Sequence, residues 1–405
     1  SALKQAKSLR IIFTFQSCLK FPLHFIHCFL FALQLSPMVK LLIENSSKIR
    51  KKGVPMSLQS YYLEEGFPFR NRKLENLKKF LSENALTYDQ QIQYSVLLCN
   101  DEGTIVGCGS RHENILKCIA IDKTLQGEGL LQRIMTQLIT NAFHQGITHL
   151  FLFTKPEYKG IFADMGFYPI AKTEEMLLME NRRNGIKQYL KKEAEPFENL
   201  PSTVVGSIVM NANPFTNGHR YLVETASRQC DQLHVFVLSA DASEFPADVR
   251  LDLVTKGCED LYNVYVHGSS DYLISHATFP DYFLKDKASG SEKAVELDLK
   301  IFGKYYQKTF GITHRFVGEE PFSKITALYN QEMKKILPDY GIQVIELPRY
   351  RLDDTIISAT LVRKKFLEGD FEGIKNFVPY TTYEYLLSQK GQALRKKLLE
   401  KGAAL

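Results

Sequence analysis

Thr216, Gly218 and His219 close the stretch Val205 to Arg220, which reads Val-Gly-Ser-Ile-Val-Met-Asn-Ala-Asn-Pro-Phe-Thr-Asn-Gly-His-Arg. These residue types suit an anion. A threonine hydroxyl and an imidazole nitrogen both donate to phosphate oxygen. Glycine lets backbone approach a ligand closely because it has no Cβ. An apolar run, Val204 to Met210, leads into the turn, and a helical pattern with Tyr221, Leu222 and Ala226 leaves it. The first N–H groups of such a helix have no intrahelical partner, and its dipole favours negative charge. The chemistry suggested is work on a nucleoside triphosphate, with no covalent step on the protein. The plainer reading is a helix start capped by Asn217. A T-x-G-H tetrapeptide between strand and helix favours the phosphate site.

A second stretch, Ile357-Ser-Ala-Thr-Leu-Val-Arg-Lys364, supplies similar groups. Ser358 caps a helix, with Thr360 and Arg363 near its first turn. A second helix start plus a fixed cation would clamp the outer phosphates. Taken alone, this stretch reads as a basic amphipathic helix with a serine cap, and only the first motif changes that. Gly318 and Glu319 follow a strand end, where they would face adenine or ribose. Arg250, in the helix after the second strand, is read either as a phosphate-neutralising cation or as a member of an ordinary surface ion pair. Ser275 and Thr278 lie where an acceptor would enter, and His276 reads as a turn histidine.

These residues need a scaffold. A chain of 405 residues with 44% apolar and 24% charged residues is long enough for two or three packed domains. Val204–Met210, Leu233–Leu238, Asn263–His267, Thr313–Val317 and Val344–Leu347 read as strands. They alternate with helices at His219–Gln229, Ala247–Asp260, Glu292–Thr309 and Ser323–Leu337. Alternation of this kind predicts a doubly wound parallel sheet over 202–350, with ligands beyond the strand carboxyl ends. Residues 351–405 read as a helical C-terminal part carrying the Ile357–Arg363 motif. Upstream, 60–180 reads α-β-β-β-α-β-α-β, a compact α/β unit. The charged stretch 181–201 reads as a solvated linker helix.

The formal charge of +6 belongs to the amino-terminal part. Residues 1–56 carry nine Lys/Arg against Glu44 alone, so the rest of the chain is about −2. That balance disfavours nucleic acid as a partner. Residues 11–35 are apolar and aromatic, but Lys20, His24 and His27 interrupt them, so a membrane span is disfavoured. Residues 1–55 are read as an extension without functional weight. Seven cysteines with no CxxC pair favour neither a zinc site nor a disulfide framework, and fit a reducing cytoplasm.

The two motifs together resemble the T/H-x-G-H and I-S-S-T-x-x-R signatures of the nucleotidylyltransferase superfamily, with Ala359 where the second serine is usual. Thr124 to Leu138 resembles the Q/R-x-x-G-x-G/A pyrophosphate loop of GNAT acetyltransferases. Gln126 and Gly129 match it, while Leu131 stands where Gly or Ala is usual. Phe162 and Met165-Gly-Phe167 match that family's core pattern. Glu128 and Tyr158 are the only general-base candidates there, and neither is supported. A GNAT-like unit ahead of such a domain narrows the field. With Phe245–Gly257, Ile274–Phe283 and His314–Phe322, the chain over roughly 60–400 is similar to the citrate lyase ligase family.

That resemblance implies an enzyme that adenylylates acetate with ATP. It then passes the acetyl group to the thiol of the phosphoribosyl-dephospho-CoA arm on the acyl carrier subunit of citrate lyase. It implies catalytic roles for His219, Thr216 and Arg363. It implies nucleotide contacts at Asn211, Asn213, Pro214, Phe215, Gly218, Arg250, Gly318, Glu319, Ser358 and Thr360. Mg²⁺ would be held through the phosphates rather than by protein ligands, and CoA or acetyl-CoA would sit at the loop Gln126–Leu131. Cys230 and Cys258 then read as core residues, because the thiol comes from the partner. Two rivals share these motifs. One is a nucleotidyltransferase acting on a phosphorylated acceptor such as phosphopantetheine or nicotinamide mononucleotide. The other is a CoA-dependent acetyltransferase whose second domain only binds nucleotide.

Overall fold

The computed structural model describes residues 60–402 apart from 198–199, 201, 239–242, 269, 275–287, 321–323 and 354, with side chains of 288–292 and 324–325 also left undescribed. The readings on residues 1–59 and on Ser275, His276 and Thr278 therefore lie outside the described residues. Ser60–Leu405 is one compact unit.

Its first half runs β1 (Tyr61–Gly66), α1 (Asn71–Glu83), β2 (Tyr94–Asn100), β3 (Ile105–His112), β4 (Ile115–Ile121), α2 (Leu130–His144), β5 (Phe151–Thr154), α3 (Lys159–Ala163), β6 (Tyr168–Lys172) and β7 (Leu177–Glu180). The strands form one sheet in the order β1-β2-β3-β4-β5-β7-β6. Its neighbours are antiparallel except β4 and β5, which are parallel and pair only at Ile115↔Phe151 and Leu116↔Leu152. Beyond those pairs the two strands splay. Sequence periodicity misses two of the strands. β1 carries two glutamates on a half-exposed edge, and β7 is a four-residue apolar run, too short to show a period.

The helix expected to be a solvated linker, α4 (Gly185–Ala194), is instead structural. Ile186, Leu190 and Ala194, spaced four apart, are buried. They join a core that includes Ile115, Phe151 and Leu178 of the first sheet and Val205 and Phe236 of the second. The basic residues of this helix had masked that apolar stripe. Polar contacts reinforce the join. Buried Glu180 accepts from Tyr272 Oη at 2.6 Å, from Ile186 N at 3.1 Å, and lies 2.9 Å from His149 Nε2.

The second half runs β8 (Val205–Met210), α5 (Asn217–Ser227), β9 (Gln232–Val237), α6 (Ala247–Gly257), β10 (Val264–Gly268), α7 (Ala288–Ile301), β11 (His314–Gly318), α8 (Lys324–Ile336) and β12 (Gln343–Leu347). The long helix expected at Glu292–Thr309 continues from α7 through a π-helical turn, Phe302–Tyr306, into Gln307–Phe310. The sheet order is β10-β9-β8-β11-β12, with every pairing parallel. The chain starts at the central strand, works outward to β10, then crosses back to β11. The strand order reverses between β8 and β11, which is where ligands bind in such sheets. These two strands pair only at His314↔Gly206 and Arg315↔Ser207, so they diverge towards their carboxyl ends. A short hairpin, β13 (Arg351–Leu352) and β14 (Thr355–Ile356), leads into α9 (Ala359–Glu368), α10 (Phe371–Ile374), α11 (Tyr380–Leu387) and α12 (Gln389–Glu400).

Candidate functional site

The loop after β8 delivers its functional groups at the reversal point. Thr216 is extended and caps α5, accepting from His219 N at 3.4 Å. The His219 ring turns back, so that its Nδ1 accepts from Thr216 N at 3.1 Å and lies 2.9 Å from Thr216 Oγ1. An Nδ1 that accepts leaves the proton of the neutral ring on Nε2. Burial, with the charge of Arg349 adding to it, pushes the His219 pKa down to about 4. At neutral pH this residue is therefore an uncharged Nε2–H donor. Phe215, fully buried, stacks on it with ring centroids 5.9 Å apart at 18°.

The second motif arrives at the same place. A Cβ built on Gly218 would lie 3.2 Å from Ile357 O and 3.5 Å from Thr216 Oγ1. Glycine leaves room for the start of α5 beside the backbone entering α9, where a Cβ would make a tight contact. Ser358 caps α9, accepting from Leu361 N at 3.2 Å. Arg363 Nη1 donates to Asn213 O at 2.7 Å, and Nη2 lies 3.3 Å from Thr360 Oγ1. Its Nε pairs with Glu244 at 3.2 Å. Two helix starts and one guanidinium thus converge on one loop, a ready arrangement for a polyphosphate. Asn217 N is taken by Phe377 O at 2.9 Å, which ties the C-terminal helices to the same loop.

Other expected contacts have different work. Arg250 is not in a surface ion pair: it is fully buried. Its Nε donates to Phe245 O at 3.0 Å, and its Nη1 donates to Asn211 O at 2.8 Å and to Leu238 O. It braces the loops that leave β8 and β9. The Asn213 side chain is likewise committed, donating to Glu244 and accepting from Phe245 N at 3.0 Å. Only its carbonyl faces the second motif. Asn211 exchanges hydrogen bonds with Ser243, and Pro214 follows a cis peptide bond in the buried part of the turn. Gly318 and Glu319 lie at the end of β11, across the divergence from β8; Gly318 O accepts from Asn330, and Glu319 N donates to Leu347 O at 2.9 Å.

Sequence reasoning missed Arg349. It follows the end of β12, donates through Nε to Glu319 O at 2.6 Å, and pairs with Glu320. Its neighbour Tyr350 stacks on Tyr221 of α5, with centroids 5.3 Å apart. The signal for it is position: like the residues after β8 and β11, Arg349 follows the carboxyl end of a strand of the parallel sheet, where ligands bind in such folds. Cys230 and Cys258 are thiols packed in the core around β8, each pushed up to about 12 by burial. Among the described residues, no group of three or more His, Cys, Asp or Glu is arranged to hold a metal ion.

In the first half, a cavity of about 970 Å³ opens where β4 and β5 splay, lined by Gln126, Gly127, Gly129, Leu131 and Tyr158 among others. Gly129 caps α2 with φ 74°, and a Cβ on Gly127 would meet nothing within 4 Å, so the loop is open to a ligand. Leu131 fits this cleft, lying partly buried against the core of the first sheet. Tyr158 lines the cleft and Glu128 does not. Phe162, Met165 and Phe167 are core residues.

Comparison with known proteins agrees with this division. Residues 59–177 match the acetyltransferase (GNAT) domain family, and residues 205–386 match the citrate lyase ligase C-terminal domain family. A citrate (pro-3S)-lyase ligase of Haemophilus influenzae is 44% identical over 323 residues, covering 78% of this chain and 95% of the relative. One of Escherichia coli is 42% identical over 324 residues, covering 78% of this chain and 91% of the relative. Among solved structures, Escherichia coli ElaA aligns at 12% identity, with a TM-score of 0.27 over 31% of this chain and 100% of its own. Thermotoga maritima TmcAL, bound with alpha-thio ATP, aligns at 14% identity, with a TM-score of 0.30 over 49% of this chain and 57% of its own.

Proposed function

The chain belongs to the citrate (pro-3S)-lyase ligase family, and on that premise we propose that it activates acetate with ATP and loads the acetyl group onto the carrier thiol of citrate lyase. The observation that carries this reading is the meeting of two helix starts, His219 and Arg363 around the loop after β8.

In the first half-reaction an acetate oxygen attacks the α-phosphorus and pyrophosphate leaves. This transfer asks for positioning and charge neutralisation more than for acid–base work. His219 Nε2–H would donate to an α-phosphate oxygen as charge builds there. The start of α5 and the Thr216 hydroxyl would hold the phosphates. Ser358, Thr360 and Arg363 would receive the leaving pyrophosphate. Mg²⁺ would arrive on the triphosphate and neutralise its charge, since the carboxylates at the site, Glu244 and Glu320, are each paired with an arginine.

In the second half-reaction a thiolate attacks the acetyl carbonyl and AMP leaves. The thiol is the partner's, on a phosphoribosyl-dephospho-CoA arm. The buried thiols of this chain are held protonated and away from such work. The cleft between β4 and β5 has room for an extended arm of this class, or for CoA itself, with its phosphates at Gly127–Gly129. A reducing cytoplasm is the setting in which these free cysteines would persist.

The reading is tested by measuring pyrophosphate release from ATP with acetate, and separately with phosphopantetheine or nicotinamide mononucleotide. Release with acetate alone supports it. Release only with a phosphorylated acceptor rejects it in favour of a plain nucleotidyltransferase.

A further inference from the structure

The loop after β8 has a guanidinium on each side. Arg363 is fixed on the β9 side, through Asn213 O and through Glu244, which follows β9. Arg349 is fixed on the opposite side, through Glu319 O and Glu320, which follow β11. The stack of Tyr350 on Tyr221 holds Arg349 beside the first turns of α5. From the other direction, Ile357 N donates to Tyr350 O at 3.3 Å, just before the Ile357 carbonyl that abuts Gly218. Arg349 is thus positioned by both motifs without belonging to either.

An in-line displacement needs the incoming and leaving groups on opposite faces of the phosphorus. If Arg363 takes the leaving pyrophosphate, the β11 side is left for the nucleophile. That nucleophile is an anion approaching a polyanion, so it needs a cation of its own. A guanidinium is the side chain best matched to a carboxylate, because its planar fork offers parallel N–H donors. Arg349 already holds a carboxylate, that of Glu320, so its fork faces where such a group can lie.

We propose that Arg349 receives the carboxylate of the acid substrate on the face of the α-phosphate opposite Arg363, with Glu320 holding the fork in place until the acid arrives. This inference rests on the ligase reading above. It makes Arg349 a specificity residue for the acid and leaves the nucleotide to the two helix starts. Its charge also favours the neutral form of His219, so the imidazole does not compete as a second cation for the carboxylate.

The test is acetate-dependent ATP–pyrophosphate exchange by the full chain, with Arg349→Gln and Arg349→Lys compared to wild type. Losing a charged hydrogen bond should raise the KM for acetate in Arg349→Gln by about 10- to 100-fold. The KM for ATP should move by less than about threefold. Arg349→Lys, which keeps the charge and loses the fork, should fall between, and it decides the matter if the glutamine variant fails to fold. An unchanged acetate KM, or an ATP KM that rises as much as the acetate KM, overturns the proposal and places Arg349 on the nucleotide. Absence of acetate-dependent exchange in wild type instead removes the ligase reading itself.

Discussion

Arg363 Nη1 donates to the carbonyl oxygen of Asn213 at 2.7 Å, joining two motifs that lie 150 residues apart in the chain. The contact makes the late helix part of the loop after β8. With Nη2 at Thr360 Oγ1 and Nε at Glu244, it fixes the guanidinium in place on the protein.

Arg363→Lys should therefore be a severe change. The lysine keeps the charge but cannot reach Asn213 O, Glu244 and a phosphate with one planar group. We expect exchange to fall by about 100-fold, with thermal stability near wild type. A loss of less than about threefold would mean that Arg363 serves only the packing of α9.

Gly218→Val tests the closeness of the two helix starts. Its Cβ would press on Ile357 O at 3.2 Å and lie 3.5 Å from Thr216 Oγ1, and the branch adds bulk beyond that Cβ. The added bulk should push the two helix starts apart, and displacement of a positioned group by about 1 Å can cost about 100-fold in rate. Steady-state kinetics should show that loss with a folded far-ultraviolet spectrum. Wild-type rates would contradict the geometry.

Arg250→Leu should act on stability first. It strips three carbonyls, those of Phe245, Asn211 and Leu238, of a buried donor. At about 1–3 kcal/mol for each group left unsatisfied, the loss should be about 3 kcal/mol or more. Denaturant unfolding reads it directly. A surface ion pair would cost at most about 1 kcal/mol, so an effect that small would contradict the buried brace.

Acid should weaken the fold in a definite window. Burial holds His219, His234 and His267 below the ordinary value of 6.5, at about 4, about 3 and about 4, with Arg349 adding to the effect on His219 and His267 to that on His234. As pH falls below 6.5 the unfolded chain takes up protons that the native chain refuses. The unfolded state then binds more protons, so stability falls with pH across that window and is unaffected above it. Melting temperatures measured from about pH 8 down to about pH 4.5 should be level at first and then drop. In the pH range where the protein stays folded, exchange should show no ionisation near 6.5 from His219. A melting temperature that holds or rises as pH falls would contradict this assignment.

Much of this architecture was legible. The alternation of strands and helices after residue 204 showed the parallel sheet, and Ser358 was legible as the cap of α9, whereas the sequence pointed to Asn217 as the cap of α5 and the structure puts that role on Thr216, one residue earlier. What stayed hidden was burial and partnership. Arg250 and a surface arginine are the same letter, and only the fold shows that Arg250 has carbonyls on three sides. Ile186, Leu190 and Ala194 were outvoted by the lysines and arginines around them, although charged faces and an apolar stripe coexist on one helix. Arg349 sits in no motif, and its relation to His219 exists only once β12 is placed beside β11.

In the proposed reaction His219, kept neutral and aimed by Thr216, works on the α-phosphate while acetate displaces pyrophosphate. Acetate-dependent ATP–pyrophosphate exchange, wild type against His219→Ala, measures it most directly. The account predicts exchange in wild type that requires acetate, and a fall of about 100- to 1,000-fold in a folded His219→Ala protein. Exchange that proceeds equally without acetate, or that survives the loss of the imidazole, would contradict it.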